Sequence, residues 1–279
     1  MMSTPAMPRA CATVNSFFDR HGAVRGAPTL RVMRGFVDIH SHMVPSGDDG
    51  VRSVDEAVEL VLEAGLRGTA VQYATPHAMD RHPFTDERRR RVTAAREQIR
   101  ARLEGRVDFR VGWEISPERW LLDADPRMLS MEGLDACLLE LPLPHTGPRH
   151  LDTFMACGEH IAAAGLVPIM GHPERCDLVY GDLEQVTELR GRGWLAQVNA
   201  SSLLGRHGRD VQDAGWTLVE TGRADIVASD GHRANRPPWL DEAFAAVSAR
   251  IGREVALPLF TGAALEPLAT LPLPRAEPA

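Results

Sequence analysis

The sequence lacks the features of several large protein classes. Its four cysteines, Cys11, Cys137, Cys157 and Cys176, show no CxxC or other paired spacing, which favours a reduced chain with small buried thiols. No apolar run is long enough to span a bilayer, and the N-terminus has no continuous apolar segment of the signal-peptide kind. We therefore expect a cytoplasmic protein without membrane insertion.

An excess of positive charge is also missing. The formal net charge is −7 and the isoelectric point is near 5.9, so no general field attracts nucleic acid or an anionic membrane. The hydrophobic fraction of 44% and the charged fraction of 25% are ordinary for a globular protein. A chain of 279 residues can form one large domain or two small ones, and α/β barrels of this size often fold as one unit.

Composition predicts three segments. Residues 1–34 are rich in proline, glycine and arginine with only a weak apolar pattern, and we expect a poorly ordered extension. Met33 is a hypothetical translation start, because the first convincing strand follows it directly. Residues 35–265 are predicted to form one domain, and residues 266–279, which are rich in proline, a flexible tail.

Helices and strands alternate within the predicted domain. In the first helix Ser53 is expected at the N-cap, Glu56 is its capping-box partner and Gly65 is expected just past the end. The second helix, "TDERRRRVTAAREQIRARLEG", is highly charged and should end at Gly105. Its basic run at 88–92 is interpreted as a solvated face, with a docking surface for an acidic partner as the alternative.

Seven predicted strands each end in a polar residue. Parallel strands joined by right-handed crossovers place their carboxyl ends on the same side, and in a barrel these ends converge on one mouth. We therefore predict a barrel of about seven βα units. The residues at the strand ends are, in order, His40 and His42, His77, Glu114, Glu140, His172, Asn199, and Asp230 with His232.

The types and spacing of these residues indicate metal binding. On a strand, residues two apart point the same way, so His40 and His42 can bind one ion, as can Asp230 and His232. One such pair is a weak signal, but two pairs with further imidazoles and carboxylates at strand ends favour a metal site. Spacing alone does not decide between Asp48 and Asp49 as a ligand. Asn199 is expected to hydrogen-bond near the mouth instead of binding metal.

The ordered motifs "DIHSH…DDG…ATPH…GWE…LLELP…GHPER…QVNASSLLG…SDGH" resemble the PHP superfamily, named for polymerase and histidinol phosphatase. More closely, they are similar to the CpsB/CapC type of bacterial protein-tyrosine phosphatase, from about Val37 to Pro238. The resemblance implies a distorted (β/α)7 TIM-like barrel with a trinuclear metal site. Manganese is the expected metal, with iron or zinc as alternatives.

The resemblance also assigns ligands to each ion. It implies that His40, His42, Glu114 and Asp230 hold one ion, and that Glu114 bridges to a second ion shared with Glu140 and His172. It places Asp49, His77 and His232 around the third, because Asp49 matches the second aspartate of the family's "DDG". The family's two phosphate-binding arginines match Arg175 in "HPER" and Arg236 in "SDGHRANRPP".

The implied function is hydrolysis of protein phosphotyrosine. The expected substrate is a bacterial tyrosine kinase that controls exopolysaccharide or capsule synthesis, and a homo-oligomer is compatible with the sequence. A cysteine-based phosphatase is excluded, because no cysteine has an arginine six positions later, as a C-x₅-R loop requires. The alternatives are a small-molecule phosphatase, such as histidinol phosphatase, and an inactive metal-binding regulator.

Overall fold

Parallel strands alternate with helices along the chain. The computed structural model describes residues 35–141, 148–176 and 182–273. The strands are β1 (Phe36–Asp38), β2 (Thr69–Ala74), β3 (His77–Ala78), β4 (Asp108–Val111), β5 (Glu114–Ile115), β6 (Ala136–Glu140), β7 (Val167–Gly171), β8 (Leu195–Asn199) and β9 (Ile226–Ala228). The α-helices are α1 (Val54–Leu66), α2 (Asp86–Leu103), α3 (Pro148–Ala163), α4 (Glu184–Gly191), α5 (Ala200–Leu203), α6 (Arg209–Glu220), α7 (Asp241–Ile251) and α8 (Arg253–Thr261). Short 3₁₀ helices cover Arg119–Asp123, Pro126–Leu129, Pro173–Arg175 and Ala263–Leu268.

The strands close into a seven-membered ring. One sheet has the order β1-β2-β4 and the other β3-β5-β6-β7-β8-β9, and all pairings are parallel. The backbone bonds Gly112 N to Ala74 O (2.9 Å) and Glu114 N to Pro76 O (3.2 Å) join the sheets, so β2–β3 and β4–β5 act as two interrupted strands. The distorted (β/α)7 barrel of the α/β class is therefore confirmed.

The ring closes between β1 and β9. His42 N donates to Gly231 O at 2.6 Å, and Asp230 N donates to His40 O at 2.8 Å. Beneath these bonds, the buried carboxylate of Asp38 accepts from Ser229 N (2.9 Å) and from Gln72 Nε2 (2.8 Å). Burial raises the pKa of Asp38 although these donors oppose the shift. Asp38 thus ties β1 to both neighbouring strands, directly below the two histidines.

Buried apolar side chains fill both sides of the strands. Along β6, Ala136 and Leu138 belong to a small apolar cluster, whereas Cys137 and Leu139 belong to a larger cluster that includes the buried faces of the helices. Residues on β7, β8 and β9 alternate in the same way, as expected for strands with a period of two. The small cluster therefore lies toward the barrel centre, and polar residues on that side of the strands face the mouth.

The predicted helix ends are partly confirmed. Ser53 caps α1 by accepting from Glu56 N, as predicted, but the prediction for Gly65 is wrong, because α1 continues to Leu66. A Cβ at Gly65 would lie 2.6 Å from Val107 Cγ2, so this glycine marks close helix–strand packing. Gly68, with φ +104°, follows the helix instead. Helix α2 ends at Leu103, just before Gly105, as predicted.

Packing continues beyond residue 265, the predicted end of the domain. Ala269 bridges to Leu134, and Arg110 Nη2 donates to Pro272 O at 2.7 Å. Apolar contacts of Leu268 and Leu273 with the small cluster account for this continued packing.

The predicted extension at 1–34 with Met33, and residues 274–279 of the predicted tail, lie outside the described residues. Within the described ranges, no helix combines the length and apolarity needed to cross a membrane.

Candidate metal centre

Glu114 lies at the centre of the barrel mouth, among four imidazoles. Its Oε1 is 3.1 Å from His40 Nε2 and 3.0 Å from His172 Nε2. Its Oε2 is 3.1 Å from both His42 Nε2 and His77 Nδ1. Burial disfavours the charged carboxylate, but the surrounding imidazoles, His40 first, hold the pKa of Glu114 well below its usual range. A buried anion of this kind can contact more than one cation.

Asp230 uses its two oxygens differently. Oδ1 faces the histidine pair, 3.5 Å from His40 Nε2 and 3.7 Å from His42 Nε2. Oδ2 accepts from Asn199 Nδ2 at 2.7 Å, as expected for an asparagine that hydrogen-bonds near the mouth. Burial opposes ionisation of Asp230, yet His40 and Arg236 lower its pKa. Asp230 therefore stays charged, with one oxygen directed to the histidines.

The structure separates Asp48 from Asp49. Asp49 Oδ1 lies 3.4 Å from His232 Nε2 and 3.6 Å from His77 Nε2, at the open edge of the mouth. Asp48 lies behind the histidines, where its Oδ2 is 3.2 Å from His42 Nδ1 and accepts from His77 N at 3.0 Å. Asp49 is thus placed to bind an ion, and Asp48 is placed to orient His42.

Glu140 completes the mouth on the β6 side. Its Oε1 is 3.9 Å from His172 Nε2, and its Oε2 accepts from Ser116 Oγ at 3.0 Å. Burial and then the negative charge of Glu114 raise the pKa of Glu140. A cation between Glu114 and Glu140 would relieve this repulsion.

Two of these residues have unusual backbone conformations. His172 has φ 36° and Asp230 has φ 50°, both in the left-handed region that costs non-glycine residues energy. Each directs its side chain into the mouth directly after a strand. Strain that collects at such positions is typical of functional sites.

The chemistry of these residues fits divalent cations. Buried polar atoms without a partner cost free energy unless something binds them. Among the described residues, four such atoms converge here: His40 Nε2, His42 Nε2, His77 Nδ1 and Glu114 Oε2. Imidazole and carboxylate donors without thiolate suit manganese, iron or zinc.

All nine residues predicted as ligands come together. Within each of four groups, one nitrogen or oxygen atom from every residue lies within 4.8 Å of the others. The division of ligands among three ions stays a prediction, because His42, His77, Glu114 and His40 each belong to two groups. The groups are His42, Asp49, His77 and His232; His40, Glu114 and His172; His40, His42 and Asp230; and His77, Glu114 and Glu140.

The two predicted phosphate-binding arginines also lie at the mouth. Arg175 Nη1 donates to Asp230 Oδ2 at 3.0 Å, and Arg236 Nη2 donates to the same oxygen. Both side chains are partly exposed, at 21% and 25%. Each guanidinium therefore retains donors that can reach a ligand in the mouth.

Sequence reasoning missed several supporting residues. Arg88 belongs to the run predicted to be solvated, yet it is buried, because its guanidinium donates to Ser46 O (3.1 Å) and His82 O (2.7 Å) beside the mouth. For Arg88 the prediction of a solvated side chain is wrong.

Gln197 also supports the site, because its Oε1 lies 2.9 Å from Nδ1 of the His40 ring. A polar residue inside an otherwise apolar strand was the available signal for Gln197.

Comparison with known proteins gives consistent matches. A family model described as "Capsular polysaccharide synthesis, CpsB/CapC" matches residues 36–268. A putative tyrosine-protein phosphatase CapC from Staphylococcus aureus is 28% identical over 213 residues, covering 75% of this chain and 82% of the relative. The tyrosine-protein phosphatase YwqE from Bacillus subtilis is 25% identical over 205 residues, covering 70% and 77%.

Solved structures share the fold. A chain from the crystal structures of YwqE from Bacillus subtilis and CpsB from Streptococcus pneumoniae, described as metal-dependent tyrosine phosphatases, superimposes with a TM-score of 0.72. It is 23% identical, and the match covers 86% of this chain and 100% of that one. A dihydropyrimidinase from Brevibacillus agri gives a TM-score of 0.51 at 12% identity, covering 86% and 73%.

Proposed function

The chain belongs to the CpsB/CapC family of capsular polysaccharide synthesis, and we propose that it is a metal-dependent protein-tyrosine phosphatase. One observation carries the proposal: nine nitrogen- and oxygen-bearing side chains converge at the barrel mouth beside two arginines. Relatives that match most of the chain are named tyrosine-protein phosphatases. Both the chemistry of the residues and the family thus favour hydrolysis of a phosphomonoester.

We propose that the mouth holds manganese, in three sites, with iron or zinc as substitutes. The residues that would hold the ions are His40, His42, Asp49, His77, Glu114, Glu140, His172, Asp230 and His232. When bound, such cations supply Lewis acidity toward phosphoryl oxygens and a source of hydroxide at neutral pH. The mixed imidazole and carboxylate set is compatible with all three metals.

The arginines would bind the phosphoryl group. Arg175 and Arg236 are permanently charged and present planar arrays of donors that match phosphate oxygens. Their shared contact with Asp230 Oδ2 holds both guanidinium groups beside the metal ligands before a substrate arrives. In hydrolysis of the ester they would stabilise the negative charge that spreads over the phosphoryl oxygens. The tyrosine leaves as a phenolate with a pKa of about 10, so we assign no general acid.

The substrate we propose is a tyrosine-phosphorylated protein, specifically a kinase that controls exopolysaccharide or capsule synthesis. The family's description in terms of capsular polysaccharide supports this choice of substrate.

We also propose a cytoplasmic location. Its support is that Cys137 and Cys157 are buried thiols outside any disulfide, as in a reducing compartment.

A substrate panel tests the proposal. Phosphotyrosine peptide, phosphoserine peptide and histidinol phosphate are each supplied with manganese and, separately, with chelator. We expect release of phosphate from the phosphotyrosine peptide that requires metal. Preference for histidinol phosphate would replace the proposal with a small-molecule phosphatase. No turnover at full metal occupancy would instead favour a metal-binding regulator.

A further inference from the structure

A chain of hydrogen bonds through two side chains of β8 connects two metal-ligand candidates, Asp230 and His40. Asn199 Nδ2 donates to Asp230 Oδ2 at 2.7 Å, and Gln197 Nε2 donates to Asn199 Oδ1 at 2.8 Å. Gln197 Oε1 lies 2.9 Å from His40 Nδ1. All four side chains are buried, with exposures of 2% or less. The contacts run without a gap from the Asp230 carboxylate to the His40 ring.

The chemistry of the groups fixes the direction of every bond. A carboxylate can only accept, so Asn199 must present its NH₂ group to Asp230 and its oxygen to Gln197. That oxygen requires a donor, so Gln197 must turn its NH₂ group toward Asn199 and its oxygen toward His40. Reversing either amide would bring two acceptors or two donors together. His40 therefore carries its proton on Nδ1.

The other ring nitrogen is consequently left free. His40 Nε2 is the nitrogen that can present a lone pair to a cation; it lies 3.1 Å from Glu114 Oε1 and 3.5 Å from Asp230 Oδ1, with no hydrogen-bond partner among the described residues. A metal-binding imidazole needs this tautomer and a fixed ring plane, which a partner on the second nitrogen provides. Asp230 therefore has two roles. Its Oδ1 faces the histidine pair, and its Oδ2 fixes the tautomer of His40 through Asn199 and Gln197.

The two histidines of the "HSH" motif are oriented in different ways. Asp48, from the loop after β1, holds His42 Nδ1 with a carboxylate at 3.2 Å. For His40 the same task falls to a neutral amide from β8, which is distant in sequence. Asn199 is itself held in place, because its backbone N donates to Glu174 Oε1 at 2.9 Å.

We propose that Gln197 and Asn199 are positioning residues that set the His40 tautomer for metal binding. The proposal rests on the proposed function only in requiring that the mouth binds divalent cations. Its readout is metal affinity, measured in the full chain by competition between manganese and a chelator, without any phosphate ester. A failure of the phosphatase assignment would leave this measurement unaffected.

The key comparison is between two substitutions at residue 197. Gln197→Met keeps the size but removes the acceptor, and we expect affinity to fall by about 10- to 100-fold, as is usual when a partner of a metal-binding histidine is lost. Gln197→Glu restores the acceptor. The new carboxyl places an oxygen where the amide oxygen of Gln197 accepts from His40 Nδ1. Affinity should then stay close to that of the unchanged protein.

A matched control and a double variant complete the test. Gln72→Met removes another fully buried glutamine, whose amide bonds Asp38 and Ser41 but no imidazole, and it should leave metal affinity much less changed. Asn199→Leu breaks the chain one link further from His40 and should lower affinity. Combined with Gln197→Met it should add little, because both changes interrupt one path.

Three results would overturn the proposal. They are unchanged affinity in folded Gln197→Met, an equal loss in Gln72→Met, and no recovery in Gln197→Glu. Circular dichroism establishes that each variant is folded. If Gln197→Met does not fold, Asn199→Leu and Gln197→Glu carry the same test, since affinity should fall in the first and persist in the second.

Discussion

His42 shows how one side chain can serve the proposed site without holding the fold together. Its Nε2 is buried and has no hydrogen-bond partner among the described residues, although it lies 3.1 Å from Glu114 Oε2. Its Nδ1 is oriented by Asp48. A residue with these contacts contributes little to the metal-free fold, because its unpartnered nitrogen stabilises nothing until a cation binds.

We therefore predict that His42→Ala abolishes metal-dependent hydrolysis of phosphotyrosine peptide while the barrel stays folded. Elemental analysis should show that metal is lost together with turnover, and circular dichroism should be unchanged. His160→Ala is the matched control, because His160 bonds Ala124 O at 2.9 Å, away from the mouth, and should retain both properties. Normal turnover in His42→Ala would remove His42 from the ligand set.

At the scale of elements, close packing between helices and strands depends on glycines within the helices. Gly158, inside α3, faces the ring of the buried Trp194, which also packs edge-on against Phe154 with centroids 5.7 Å apart. A methyl group at Gly158 would overlap that ring. Gly65 in α1 has the same role against Val107. Such positions fix how closely a helix approaches the barrel.

The expected effect of Gly158→Ala is a loss of about 1–3 kcal/mol in the free energy of unfolding, because overpacking outweighs the better helix propensity of alanine. Gly191→Ala provides the comparison, since Gly191 also lies in a helix, α4, but a Cβ added there would meet no atom within 4 Å. That variant should be neutral or gain up to about 1 kcal/mol. Urea unfolding measures both, and equal effects would refute the packing argument.

At the scale of the whole molecule, basic charge is carried by one residue type. All 31 basic residues are arginine, and the sequence contains no lysine. Arginine does not titrate below about pH 12, so tyrosine and cysteine are the residue types here whose ordinary pKa values lie between about 8 and 12. Among these, burial raises the pKa of Tyr73 to about 12, although Arg110 opposes the shift.

Stability should therefore fall as pH rises above about 10. The unfolded chain loses the Tyr73 proton near pH 10 and the folded chain only near pH 12, so the unfolded state is favoured progressively across this window. The contribution, on the order of 2 kcal/mol, is fully present below pH 10. Tyr73→Phe lacks this titration but also loses the bond to Glu132 O.

The measurement is urea unfolding of both proteins at pH 8, 10 and 11.5. We expect the unchanged protein to be more stable than Tyr73→Phe at pH 8, and the difference to shrink or reverse at pH 11.5. Buried cysteines titrate in both proteins and cancel in the comparison. A difference that does not vary with pH would show that Tyr73 does not titrate as its burial implies.

The polar residues at the strand ends and the first residue of helix α1 could be predicted from local patterns in the sequence. His40, His42 and Asp230 could be predicted because apolar strands followed by polar side chains form a local pattern, and Ser53 because capping is a local interaction. The barrel followed from the alternation of strands and helices with these ends. The resemblance to a known family supplied the choice of Asp49, the division of the ligands among three ions, and both arginines.

The orientation of these side chains and the contacts that support them follow only from the folded structure. The separate positions of Asp48 and Asp49, the burial of Arg88 and the contact of Gln197 with His40 all depend on segments far apart in sequence. Gly65 could not be distinguished from a helix end, because its neighbour Val107 is brought close only by packing. Spacing along a chain specifies direction and period, whereas distances between side chains arise only when the strands close into a barrel.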